Sequence, residues 1–279
     1  LKYTTPPMHF THTDFLKFFL YTTVFFLLFF GYNTVSGPYF ETTFDSASIQ
    51  NQEVPISPVF TEQQVIIPKK SAVKPSLTIA FNPDYTKIDN DVVNHLKEII
   101  QSSYFQTKTT PLHLVLDSER QEPRGQVVGN KLILSTTIPS DSEQLKVFVH
   151  ELGHIVDIFY LKKGFFADPS DVFYALSWES FNTKKKEQKM TNFVSGYALS
   201  NKYEDFSESF SWYVFHNEDF LKRAKKDTIL QKKYDFFKYK VFGMDAFIDT
   251  SFGIDVPKDY NWDTTKVPVD TKKYLYYIK

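Results

Sequence analysis

The segment IPSDSEQLKVFVHELGHIVDIFYLKKG, residues 138–164, constrains the fold of this chain more than any other. Ser140 followed three residues later by Glu143 makes a capping box, which predicts a helix start. Leu145, Phe148, Val149, Leu152, Ile155, Val156 and Phe159 then recur at helical spacing, and Lys162, Lys163 and Gly164 mark the end. Such a stripe of large apolar side chains needs a facing surface, so the helix must lie against a core. His150, Glu151 and His154 sit in its second half, within VHELGH.

The rest of the pattern says what surrounds it. SLTIAF (76–81) and LHLVLD (112–117) predict strands, and DNDVVNHLKEIIQSSYF (89–105) predicts a helix. GQVVGNKLILST (125–136) sets Gly129-Asn130 between two apolar runs, a hairpin signal. Beyond residue 164 the chain reads mostly as helix, near 204–216 and again over 218–240. Strands come first and helices later, so the expected fold class is α+β with the histidines on the central helix. The expected domain spans 76–250. The tail 251–279 receives no role from its sequence.

Phe15–Tyr32 is an 18-residue run with a single charge, Lys17. At about 1.5 Å per residue it approaches the ~30 Å hydrocarbon core of a bilayer. Lys2 and Lys17 precede its apolar stretch while Glu41, Asp45 and Glu53 follow it, which predicts an N-terminus inside the cell and the remainder outside. A cleaved signal peptide and a buried core helix are the other two fates for such a run. The best small-residue pair, Ser36-Gly37, precedes Pro38 and makes a poor cleavage site, so residues 1–33 are expected to be a stub and membrane anchor. Residues 34–75, rich in Ser, Thr, Pro and Gln, read as an extended linker.

Chemistry is narrowed by what the chain lacks. It has no cysteine, which excludes disulfides and thiolate ligands and leaves His and carboxylate to hold a metal. A net charge of −1 argues against a nucleic-acid-binding surface.

His150 and His154 are four positions apart, about 40° of helical rotation, so their rings point to one side and can share an ion. Glu151 is turned about 100° away, where it can reach water beside the ion without ligating it, as a general base does. A third ligand must come from elsewhere. His216 and Glu179 are candidates, whereas His95 and His113 precede the motif. YALSNKYEDFSESF (197–210) offers more, with Glu204 and Glu208 again four apart on one helix face, offset from its apolar stripe. Glu204 is the expected ligand. Glu208 is expected to accept a hydrogen bond from the far nitrogen of a ligating histidine, His150. Tyr197, seven residues before Glu204, is placed to lean over the ion and stabilise an oxyanion, though packing explains a tyrosine at this spacing equally well.

HELGHIVD at 150–157, Tyr197, the seven-residue step to Glu204, and Glu208 together resemble the zincin metallopeptidase family of the anthrax lethal factor catalytic domain. They resemble more closely the small secreted Pro-Pro endopeptidases within it. The resemblance covers roughly residues 76–245. It implies Zn2+ on His150, His154 and Glu204, Glu151 as base, Tyr197 as electrophile and Glu208 behind His150. The implied protein is a zinc metalloendopeptidase that takes extended peptide along an exposed strand, expected at KLILS (131–135). The apolar run 15–32 and the linker 34–75, which depart from the secreted members, make the expected form extracellular and membrane-tethered. A non-catalytic surface binding protein on the same scaffold, or a zinc amidase of cell-wall peptides, are the competing expectations.

Overall fold

The computed structural model describes residues 77–82, 89–109, 111–162, 168–254 and 261–279. The apolar run 15–32 and the linker 34–75 lie outside the described residues. No helix among the described residues is long and apolar enough to cross a membrane.

Four strands form a mixed sheet: β1 (Leu77–Asn82), β2 (Leu112–Asp117), β3 (Gly125–Val128) and β4 (Lys131–Ser135). Their order is β1-β2-β4-β3. β1 pairs parallel with β2 and β2 with β4, while β3 returns antiparallel to β4. Helix α1 (Asn90–Gln101) makes the crossover from β1 to β2, and the Asp89 side chain caps its start. At the hairpin, Gly129 has φ 59°, the left-handed turn geometry that glycine tolerates without strain. Chain order and pairing are therefore strands first and helices later, consistent with the α+β expectation.

The sheet order corrects one expectation. KLILS (131–135) is β4 and is paired on both sides, so it has no free edge. The hairpin turns back on the outer side, so β3 is the edge strand next to β4, and β1 is the edge strand at the opposite side of the sheet. Ser135 N–H donates to Arg124 O at 2.8 Å, which fixes the alternation of the ladder. Gln126 and Val128 then bond to β4, and the N–H and C=O groups of Gly125 and Val127 face outward.

Helix α2 (Asp141–Ile155) follows, with Ser140 Oγ accepting from Glu143 N–H at 3.2 Å. A π-helical stretch over Val156–Leu161 carries it onward. The expected amphipathic helix is in fact buried on almost every side, including Gln144, Lys146, Val147, His150 and Glu151. The sheet covers one flank and the C-terminal residues cover another, which the apolar stripe alone does not foretell. Helix α3 (Pro169–Ser177) leads to a long irregular segment that ends in a 3-10 turn at Tyr197–Leu199. Helix α4 (Lys202–Phe215) begins at Asn201, whose side chain accepts from Tyr203 and Glu204 N–H. Everything from Asp205 to Phe215 is buried, so the face carrying Glu208 is covered as well as the apolar one.

Helices α2 and α4 cross closely. A Cβ on Gly153 would lie 2.6 Å from Ser207 Oγ, so only glycine permits this approach. The remaining helices, α5 (Asn217–Ala224), α6 (Thr228–Phe236) and α7 (Thr271–Ile278), close the core, where Phe173, Phe206 and Phe237 pack edge to face. Residues 261–279 belong to the same compact unit as the other described residues. Val267, Val269, Tyr274 and Ile278 are buried in its core, so the segment whose sequence pointed to no role is folded into the body.

Candidate metal centre

Each metal-ligand candidate is placed by a separate structural cause. The capped helix α2 presents His150 and His154 one turn apart, with ring centroids 5.1 Å apart and planes at 81°. The cap at Asn201 sets the phase of α4 and brings Glu204 opposite them. His150 Nε2 lies 3.1 Å from Glu204 Oε2, and His154 Nε2 lies 3.6 Å from the same oxygen. One atom from each of the three residues lies within 4.8 Å of the others, and among the described residues this is the group that could hold a metal ion. The rival ligands are elsewhere: Glu179 is exposed, and His216 is buried against Lys146 Nζ at 3.0 Å.

Glu208 is wholly buried behind His150 and accepts from His150 Nδ1–H at 2.9 Å. Burial alone would lower the His150 pKa. The hydrogen bonds to Glu204 and Glu208 outweigh it and hold the ring well above the ordinary value. Glu204 answers in kind. Burial would raise it, but both histidines hold it far below the ordinary carboxylate range. In this arrangement a proton on Nε2 bridges the ring to Glu204, and a cation among the three residues would take that proton's place.

Glu151 is buried at the mouth of β3. Its pKa is raised by burial, with His150 and His154 opposing. A Cβ on Gly125 would lie 2.5 Å from Glu151 Oε1, so the outer strand passes directly over the carboxylate. Tyr197 is 38% exposed and stands with its ring centroid 6.1 Å from that of His150. Burial and the neighbouring carboxylates push its pKa up to about 12, so the phenol stays protonated. These residues line a cleft of about 580 Å³ whose wall includes Phe181, Tyr203 and the 70% exposed Trp262.

Sequence reasoning missed the parts contributed by residues distant in the chain. Thr264 donates to Glu208 through both its N–H and its hydroxyl, and Ser195 donates to the same carboxylate. Trp262 O accepts from Tyr197 N–H at 2.6 Å. The one local signal was Ser195 two residues before Tyr197; nothing near Thr264 marks it. No protein-family model matches the chain, and no curated protein matches it.

Proposed function

We propose that this chain is a zinc metalloendopeptidase of the zincin type acting on extended peptide. The observation that carries the reading is the convergence of His150, His154 and Glu204 next to a buried Glu151, beneath the free edge of β3. Two imidazoles and one carboxylate are a catalytic zinc ligand set that leaves room for water. The residues fit the ion, because both Nε2 atoms face one Glu204 oxygen while the other His150 nitrogen is committed to Glu208. When bound, zinc acts as a Lewis acid that polarises a carbonyl and makes water nucleophilic near neutral pH.

The chain's own groups supply the rest. Gly125 and Val127 offer N–H and C=O groups to an extended peptide, which would pair as an added strand. Glu151 takes a proton from the attacking water as the C–O bond forms. It returns that proton to the amine nitrogen as the C–N bond breaks. Its burial raises the basicity of the carboxylate toward that task. The Tyr197 hydroxyl, protonated at neutral pH, donates to the oxyanion. The sequence of residues 15–32 and 34–75 favours display of this domain on the outer face of a membrane. Protease added to intact cells is then expected to release it, and recovery mainly from the medium would contradict the anchor.

The function is tested by incubating the zinc-loaded protein with a diverse peptide library and reading cut sites by mass spectrometry. Cleavage that disappears in Glu151→Ala, while zinc is retained, is the expected result. Intact peptides with stoichiometric zinc would favour a binding protein, and digestion of purified peptidoglycan alone would favour an amidase. The same ligand set also serves non-haem iron, so elemental analysis accompanies the assay.

A further inference from the structure

We propose that Thr264 is a positioning residue for the metal centre, acting through Glu208 on His150; this rests on the reading of His150, His154 and Glu204 as metal ligands. Glu208 has no exposed surface, and its two oxygens receive four donors. Oε1 takes His150 Nδ1–H at 2.9 Å and the Thr264 hydroxyl at 2.9 Å. Oε2 takes the Ser195 hydroxyl at 2.5 Å and Thr264 N–H at 3.1 Å. One residue therefore grips both oxygens and sets the plane of the carboxylate. That plane sets the direction in which Oε1 meets the imidazole, and hence where Nε2 points.

Thr264 can do this because the residues on both sides of it in the chain are held. Arg124 Nη2 donates to Asp263 at 2.5 Å, and Arg124 Nη1 donates to Thr265 Oγ1 at 3.1 Å. The buried Lys146 donates to Val267 O at 2.7 Å, one helical turn before His150 on α2. Gly196 and Tyr197 N–H groups donate to Asn261 O and Trp262 O at 2.9 and 2.6 Å. A Cβ on Gly196 would lie 2.3 Å from the Trp262 ring, so the two stretches are pressed together. The segment 261–267 thus ties β3, α2 and the Tyr197 turn to the back of His150. Thr264→Val keeps the shape and the N–H but removes one of the two Oε1 donors, leaving His150 Nδ1–H alone on that oxygen. The carboxylate then pivots about its remaining bonds.

The test compares wild type, Thr264→Val and Thr264→Ser in the full-length protein. Zinc affinity is measured by competition with a chelator, and the His150 imidazole is followed by 15N–1H NMR in the metal-free protein. Removing groups behind a metal ligand costs about 10–100-fold in affinity, and Thr264→Val is expected to lose about 10-fold, the low end of that range. Its His150 Nδ1–H signal is expected to shift and exchange faster. Thr264→Ser restores the donor and is expected to recover both. Thr264→Ala replaces the valine variant should that one not fold. Wild-type affinity with an unchanged imidazole signal on removing the hydroxyl, or a serine variant as impaired as the valine one, would overturn the proposal. Failure of wild type to take up zinc would instead refute the metal reading, and the imidazole signal alone would then decide whether Thr264 orients His150.

Discussion

Glu204 and Asp205 are neighbours on α4 and have opposite fates. Glu204 faces the cleft, and its Oε2 lies within reach of two imidazoles. Asp205, turned about 100° away, has no exposed surface and is closed off by Lys233 Nζ at 2.7 and 2.8 Å and Trp178 Nε1 at 2.9 Å. Burial raises the Asp205 pKa against the opposing charge of Lys233, whereas the histidines drive Glu204 down. The difference separates a finished ion pair from a site. Asp205 accepts from Trp178 at the end of α3 and from Lys233 on α6, and so holds α3, α4 and α6 together. Glu204 shares one oxygen between two rings at the wall of a water-accessible cleft, so a cation can replace what it now binds.

The largest test of that contrast is substitution of the two carboxylates. Asp205→Ala leaves Lys233 buried without its partner and should cost about 3–5 kcal/mol in chemical denaturation. Glu204→Gln should cost less than that in the metal-free protein, since its side chain is partly exposed at the cleft wall and the amide oxygen can still accept from His150. Equal losses at the two positions would erase the distinction.

Next in size is the cleft itself. Tyr197→Phe should fold and bind zinc as wild type does, yet lose about 10²–10³ in turnover if its hydroxyl holds the oxyanion. Wild-type turnover would return Tyr197 to packing. Gly125→Ala would drive a methyl group into Glu151. A displacement near 1 Å can cost about 10²-fold in rate, and zinc content should not change. Unaltered turnover would mean that β3 does not set the position of the base.

The smallest effect concerns pH and the segment behind the site. Burial would raise the Asp263 pKa, but hydrogen bonds from Thr265 and the charge of Arg124 hold it below its ordinary value. A carboxylate with a depressed folded pKa contributes stability that is present above its unfolded pKa and lost as pH falls through the folded one. Stability should therefore fall on acidification below about pH 4. Asp263→Asn should flatten that part of the curve while lowering stability at pH 7. An acid limb identical to wild type would remove Asp263 from the account.

These contrasts show what was legible in the chain. Ser140 and Glu143, the spacing of Leu145 to Phe159, and Gly129-Asn130 are local signals, and the α2 start and the hairpin follow from them. The pairing of His150 with His154, and of Glu204 with Glu208, is also local, because four residues along a helix fix a shared face. What could not be read depends on distant chain. Nothing in KLILS reveals that GQVV will lie outside it, since the order of strands is decided by how β4 docks beside β2. Lys146 looks like a solvent residue on an amphipathic helix until Val267 supplies its acceptor. Thr264 is an ordinary threonine until the fold sets it against Glu208, 56 residues away.

His150, His154 and Glu204 are thus proposed to form one open metal site, and Asp205 none. Elemental analysis of the purified domain after equilibration with zinc and removal of excess tests this assignment most directly. About one zinc per chain is expected in wild type, near zero in Glu204→Ala, and full occupancy in Glu179→Ala. Stoichiometric zinc retained by Glu204→Ala, or lost from Glu179→Ala, would contradict it.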